Sequence, residues 1–347
     1  MMGRQSSSAA RRVVVVVCAA MVVAAAAAQK YNAVYNFGDS ITDTGNLCTN
    51  GRPSQITFTQ PPYGETYFGS PTCRCCDGRV VVDFLASKFG LPFLPPSKST
   101  SADFKKGANM AITGATAMDA NFFRSLGLSD KIWNNGPISF QIQWFQQISS
   151  SVCGQNCKSY LANSLFVFGE FGGNDYNAML FGGYSADQAS TYTSQIVDTI
   201  SNGVEKLIAM GAVDVVVPGV LPIGCFPIYL TIYGTSSSSD YDSLGCLKKF
   251  NDLSTNHNNQ LKTKISALQS KYKSARIITV FETCCGSGGG KFNYNNNARC
   301  GMSGASACSN PASHLSWDGI HLTEAAYKQI TDGWLNGPYC SPAILHS

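Results

Sequence analysis

The chain is poor in charge. Asp, Glu, Lys and Arg make up 13% of its 347 residues, against about 25% in an average soluble domain. With so few charges and 44% apolar residues, the composition excludes a disordered, solvated chain and points to a packed globule. Neither sign dominates, since 25 basic residues face 21 acidic ones. No basic stripe follows a helix or a loop, which excludes nucleic acid as a partner. After the N-terminus no segment is long and apolar enough to span a bilayer, so stable membrane insertion is excluded for the rest of the chain. Histidine is scarce as well, with four copies. Any chemistry that needs an imidazole must draw on His257, His314, His321 or His346.

Cysteine is not scarce. Fourteen are present, and their reading depends on the first 28 residues. There Arg4, Arg11 and Arg12 precede an apolar run from Val13 to Ala28 that ends on small residues. A basic start, an apolar middle and a small-residue end make a secretory signal, cut after Ala28. The run of sixteen falls short of the roughly 20 residues that span a bilayer, with an uncleaved anchor as the alternative. The leader takes Cys18 and three arginines with it, leaving 22 basic against 21 acidic residues. Its destination is extracellular, with Golgi or vacuole as alternatives. The thirteen cysteines left read as disulfides of an oxidising compartment, with at least one thiol unpaired or bonded to another molecule. Cys73 and Cys76 form a lone C-x-x-C with no second pair, too little for a structural zinc site. No metal is expected.

Four short apolar runs read as buried strands: Ala33–Phe37, Leu165–Phe168, Val213–Val217 and Ile277–Phe281, with a weaker fifth at Leu91–Leu94. Helical stripes lie between them. Ile138, Ile142, Phe145 and Ile148 repeat at three and four residues, as do Ile196, Ile200, Val204, Leu207 and Ile208. Phe250, Leu253, Leu261, Ile265 and Leu268 form a third stripe, and Tyr327, Ile330 and Trp334 a last one that Thr323 would cap. Alternation of strand and helix implies a mostly parallel sheet covered on both faces, in one domain over residues 29–347. Working residues of such sheets gather at the carboxyl ends of the strands.

Two stretches stand at such ends. "NFGDSITDTGN" puts Ser40 on a glycine-bearing turn just past the first run, and "GEFGGNDYN" puts Gly172, Gly173 and Asn174 just past the second. A serine in such a turn is commonly a turn former, and a Gly-Asn pair an ordinary turn. Ser40 becomes a nucleophile only with a base, an orienting acid and an oxyanion site. His321, in "SWDGIHLTEAAY", follows Asp318 by three residues, so one curled loop can set the carboxylate beside the ring. The plainer reading of that spacing is an aspartate capping a helix entry. Among the other histidines, His257 continues the stripe from Leu253 to Leu261 and reads as a packed core residue. His314 lies in a loop with no acid at a useful spacing upstream, and His346 in the terminal tail. Asn174 can donate its amide to a developing oxyanion. Gly114, in "NMAITGATAM", can offer a backbone N–H where a side chain would block approach.

Each piece is weak alone. In order and context, however, Ser40, Gly114, Asn174 and the Asp318–His321 pair resemble the blocks of the GDSL esterase/lipase family, in the SGNH hydrolase superfamily. The resemblance extends through "DGRVVVDFLASKFGLPFLPP", "QIQWF", "VPGVLPIGC" and "CSNPASHLSWDGIHLTEAAY", and it is to the plant branch. It implies a three-layer α/β/α sandwich with a five-stranded parallel sheet of flavodoxin-like order. It also implies Ser40 as nucleophile, His321 as general base and then acid, and Asp318 as its orienting partner. The oxyanion hole would comprise the Ser40 N–H, the Gly114 N–H and the Asn174 side chain. No cofactor is implied. The G-x-S-x-G elbow of the α/β-hydrolases is absent, and "GSGGGK" lacks the spacing and hydroxyl of a phosphate loop.

The expected activity is hydrolysis of a small-molecule or glycan ester through an acyl-serine, with no partner chain implied. An acyltransferase would use the same acyl-serine with a hydroxyl acceptor in place of water, and a lipase would take longer acyl chains. A silent binding protein would have no need of all five site residues. A glycosidase needs two carboxylates, for which only Asp39 and Asp318 could be nominated, and Asp39 reads better as the residue that holds the Ser40 turn. Tyr63, Tyr67 and Phe68 lie in a Pro-, Thr- and Gly-rich loop after Ser40. They read as an aromatic rim suited to sugar or phenolic faces and to short acyl groups.

Overall fold

A computed structural model of the chain describes residues 30–49, 51, 56–133, 135–272, 285–287, 294–313, 316–336 and 343–345. Strand β1 is Val34–Phe37, β2 Gly107–Asn109, β3 Leu165–Phe168 and β4 Asp214–Val216. They pair in parallel in the order β2-β1-β3-β4. Val34 stands opposite both Gly107 and Leu165, Phe37 opposite Phe168, and Leu165 opposite Asp214. Every residue of β1 and β3 is buried, as parallel strands covered on both faces must be.

Side chains alternate across this sheet, and each set finds its own helices. Tyr35, Phe37 and Phe166 meet Phe145 of helix α2 (Ile138–Cys153) at ring-centroid distances of 5.0, 5.6 and 5.5 Å. Helix α3 (Gly173–Phe181) follows β3. Helix α4 (Thr193–Met210) joins the aromatic face where Phe168 fits against Gly203. Val167 points the other way, into a small apolar pocket shared with Val81 of helix α1 (Val81–Lys88). A long helix α5 (Lys248–Tyr272) packs along α4, and α6 (Glu324–Asn336) along α1. Tyr327, Ile330 and Trp334 of α6 complete the pocket around Val167. The Thr323 hydroxyl accepts from the Ala326 N–H at 3.3 Å and so caps α6 as its position suggests.

One expected strand is overturned. Leu91–Leu94 takes no sheet position. Pro92, Pro95 and Pro96 deprive that segment of ladder donors, and only Pro96 bridges the sheet, opposite Asn109. The place beside β1 belongs to Gly107–Asn109, three residues with no β-branched or aromatic member to announce them. Ile277–Phe281 lies outside the described residues, as do His314 and His346. Among the described residues the sheet has four strands, in the 2-1-3-4 sequence of flavodoxin-like sheets.

Disulfides join Cys48 to Cys73, Cys153 to Cys157, Cys225 to Cys246 and Cys285 to Cys300, and Cys308 is also disulfide-bonded. The bond to Cys48 takes Cys73 out of the C-x-x-C pair. Cys75 and Cys76 are buried free thiols. His257 is fully buried in α5, with Nδ1 2.9 Å from the Tyr176 hydroxyl. Burial pushes its pKa down to about 3, so the ring is neutral. No helix among the described residues is long and apolar enough to cross a membrane.

Candidate active site

Chain order reverses between β1 and β3: the path leaves β1 toward β2 on one side and returns to β3 on the other. A crevice opens at the carboxyl ends of strands at such a switch point. The Ser40 turn follows β1 there, and the Gly172–Asn174 turn follows β3.

The Ser40 turn begins with Gly38, at φ +145°, where a Cβ would stand 2.8 Å from Thr42 and 3.0 Å from the Gly169 backbone. Only glycine fits. Gln141 of α2 holds this residue from both sides, its Oε1 accepting from the Gly38 N–H at 3.0 Å and its Nε2 donating to the Gly38 carbonyl at 2.8 Å. Asp39 holds the next step of the turn. Its Oδ1 accepts from the Ile41 N–H at 3.0 Å, and its Oδ2 from the Asn174 amide at 2.8 Å. Asp43 then bridges outward, accepting from the Gly45 and Asn46 N–H groups and from the Thr113 N–H and hydroxyl. In this way the turn after β1 is tied to the segment that holds Gly114.

Asp318 and His321 come from the loop that enters α6. The Ser316 hydroxyl accepts from the Gly319 N–H at 3.1 Å, and Asp318 Oδ1 accepts from the Ile320 and His321 N–H groups at 3.1 and 2.8 Å. The D-x-x-H spacing therefore makes both arrangements that could be read from it, a backbone cap and a side-chain pair. The loop sets His321 Nδ1 2.7 Å from Asp318 Oδ2 and His321 Nε2 2.8 Å from Ser40 Oγ. All three residues are buried. Burial opposes the imidazolium, yet the Asp318 carboxylate and the buried Cys75 thiol beside the ring together outweigh it and lift the His321 pKa well above its ordinary range. Burial likewise opposes charge on Asp318, and the imidazole, with its hydrogen bonds, holds that carboxyl below the usual range.

Gly114 and Asn174 line the same cavity as Ser40, His321 and Asp318. Gly114 sits at φ +82° with the Trp133 ring against its α-carbon, where a Cβ would be 3.0 Å from the indole. Both Asn174 amide hydrogens have acceptors, Asp39 Oδ2 and the Ala115 carbonyl, each at 2.8 Å. Burial raises Asp39 to about 6, against its bond from Ile41.

Sequence reasoning missed three supporting residues. Gln141 and Trp133 are two, both far in sequence from what they hold. The third is Tyr63, which the sequence suggested for an aromatic rim. It is buried, and its hydroxyl donates to Asp318 Oδ2 at 2.6 Å. Tyr67 and Phe68 turn away from the cavity, stacking on Arg79 and Arg74 at 3.9 and 4.7 Å. The open rim is made instead by Phe58 and Trp133, stacked 6.0 Å apart, with Phe181 and Tyr294.

A parallel sheet covered on both faces, with a hydrogen-bonded Ser, His and Asp in the cleft at its switch point, defines a class: an α/β enzyme with the parts of an ester hydrolase. The GDSL-like lipase/acylhydrolase family model matches residues 34–334, and the chain belongs to that family. It is 38% identical to a GDSL esterase/lipase of Arabidopsis thaliana, over 90% of this chain and 92% of the relative. It is also 38% identical to the sinapine esterase of Brassica napus, over 91% of this chain and 88% of that protein. The chain is a carboxylic-ester hydrolase.

Proposed function

We propose that the enzyme cleaves short-chain esters of a polar alcohol through an acyl-serine on Ser40, and that it works outside the cell after loss of residues 1–28. The 2.8 Å approach of His321 Nε2 to Ser40 Oγ, with Asp318 behind the ring, carries this reading. His321 takes the Ser40 proton as Oγ attacks the carbonyl carbon. Charge on the tetrahedral oxygen falls to the Ser40 and Gly114 N–H groups and the Asn174 amide. Because both amide hydrogens already have acceptors, the oxyanion shares one with Asp39 or the Ala115 carbonyl. Collapse breaks the bond to the alcohol oxygen, which leaves with the proton from His321 Nε2. Water then repeats the sequence on the acyl-serine, with His321 as base.

The cavity supports a small acyl group, since its volume of about 230 Å³ lies below that of common ligand clefts. Thr57, Thr113, Thr116 and Asn177 line it beside the aromatic rim, which suits a hydroxyl-rich or phenolic alcohol. The disulfides fit an oxidising compartment. In the decisive experiment, Ser40→Ala abolishes turnover of p-nitrophenyl acetate without changing the circular dichroism, and a fluorophosphonate probe labels Ser40 in the wild type. Label on another serine, or a Ser40→Ala enzyme at the wild-type rate, sinks the reading.

A further inference from the structure

Among the described residues, the cavity around Ser40 presents two cations and no open acid. Arg299 and Lys131 both line it. The one carboxyl group among the described lining residues, Asp318, is buried with Oδ1 held by two backbone N–H groups and Oδ2 by Tyr63 and the His321 ring. The two cations differ. Lys131 pairs with the exposed Asp130 at 2.6 Å, which offsets its charge. Arg299 is exposed and has no ion pair among the described residues.

The backbone that carries Arg299 is fixed on three sides. Cys300 is buried and bonded to Cys285, the Ala298 carbonyl accepts the Ser287 hydroxyl at 2.7 Å, and Gly301 lies against the Thr57 carbonyl. Arg299 stands close enough to Tyr63 and Tyr294 to act electrostatically on both phenols. Tyr63 bonds Asp318, and the Tyr294 ring lies against Gly319. Arg299 therefore flanks the loop that carries His321. Lys131, two residues before Trp133 and its contact with Gly114, belongs to the Gly114 flank.

The flank decides which half of the ester meets which cation. His321 gives its proton to the departing oxygen, so the alcohol lies on the His321 side and beside Arg299. We propose that this enzyme selects esters whose alcohol carries a carboxylate, which the Arg299 guanidinium receives at the cavity rim. The inference rests on Ser40 as nucleophile and His321 as its base. A guanidinium stays charged at any working pH and matches a carboxylate with two parallel N–H donors. The site is wet, so the effect is moderate: a charge pair at 4 Å in water is worth about fivefold in an equilibrium or rate.

Three phenolic acetates test this: 4-acetoxybenzoate, phenyl acetate and 4-(trimethylammonio)phenyl acetate. They differ in the group para to the ester oxygen, anionic, absent or cationic, and reading each variant against wild type cancels their different size and leaving-group reactivity. At pH 8 and low ionic strength, Arg299→Met should lower kcat/KM for the anionic ester about fivefold and raise it for the cationic one by a similar factor. Phenyl acetate should move least. Arg299→Lys should keep most of the preference, and 0.5 M NaCl should collapse it. Arg299 is exposed, so these variants fold. An equal change on all three esters, or a larger change in charge preference from Lys131→Met, overturns the proposal. Ser40→Ala keeps the two readings apart. Hydrolysis surviving that change overturns the serine mechanism, whereas a charge-blind Arg299→Met with a dead Ser40→Ala overturns the carboxylate alone.

Discussion

Tyr63 shows how much one buried hydroxyl can do. It shares Asp318 Oδ2 with the His321 ring, and so takes up part of the charge that would otherwise face the imidazole. Its bond is one of the causes holding Asp318 below the usual carboxylate range. Removing it with Tyr63→Phe leaves Asp318 more basic and its hold on the imidazolium stronger. On the proposed mechanism the base must be neutral to accept the Ser40 proton, so kcat/KM should rise with pH as His321 loses its own. With the His321 pKa above its ordinary range, that rise lies above about pH 6.5. Tyr63→Phe should move it to still higher pH and cut kcat by about tenfold, the worth of a hydrogen bond to a charged group. A pH–rate profile checks both, and an unmoved limb with a lower Tm would make Tyr63 structural only. Ser40, Asp318 and His321 could be nominated from a glycine turn after an apolar run and D-x-x-H on one loop, but each pattern was weak alone, and only their order and company singled them out. The role of Tyr63 was not legible, because its partner is 255 residues away and no spacing records that.

At the scale of elements, the apolar runs that became β1 and β3 were readable because both faces of those strands are buried and almost every residue must be apolar. The segment Leu91–Leu94 looked similar, and its prolines explain the error: apolar content draws a chain inward, but ladder donors decide whether it pairs. Helices read well through their stripes, and one buried polar contact ties three of them together. The Tyr176 hydroxyl of α3 meets Thr193 of α4 at 3.0 Å and His257 of α5 at 2.9 Å. His257 stays neutral in the fold down to about pH 3, but the unfolded chain protonates it below about 6.5. Between those values unfolding takes up a proton, so this group's contribution to stability falls as pH falls, by up to about 1.4 kcal/mol per unit. His257→Gln should flatten the acid side of a plot of unfolding free energy against pH. Denaturant titrations at pH 7, 6, 5 and 4 measure it, and an unchanged slope would mean that His257 does not couple folding to pH.

For the whole molecule, the small cavity and its polar, aromatic rim make a prediction about substrate form. Acetate should be preferred to butyrate and palmitate as p-nitrophenyl esters, each kept below its solubility limit, with no rise in rate when substrate forms micelles. A maximum at palmitate, or activation at an interface, would make the enzyme a lipase for long chains.

The hydrogen bond between Ser40 and His321 spans 281 residues of sequence, nearly the length of the matched family region. A ribosome adding ~5–20 residues per second places the serine first and reaches its histidine on the order of tens of seconds later. On the proposed mechanism, the growing chain until then has no base for its nucleophile and cannot attack an ester. By that reasoning the enzyme needs no removable inhibitory segment to be silent while it is made. If those proposed roles hold, a chain stopped before Asp318 should be inert, and the stretch that carries Asp318 and His321 is what switches the catalyst on.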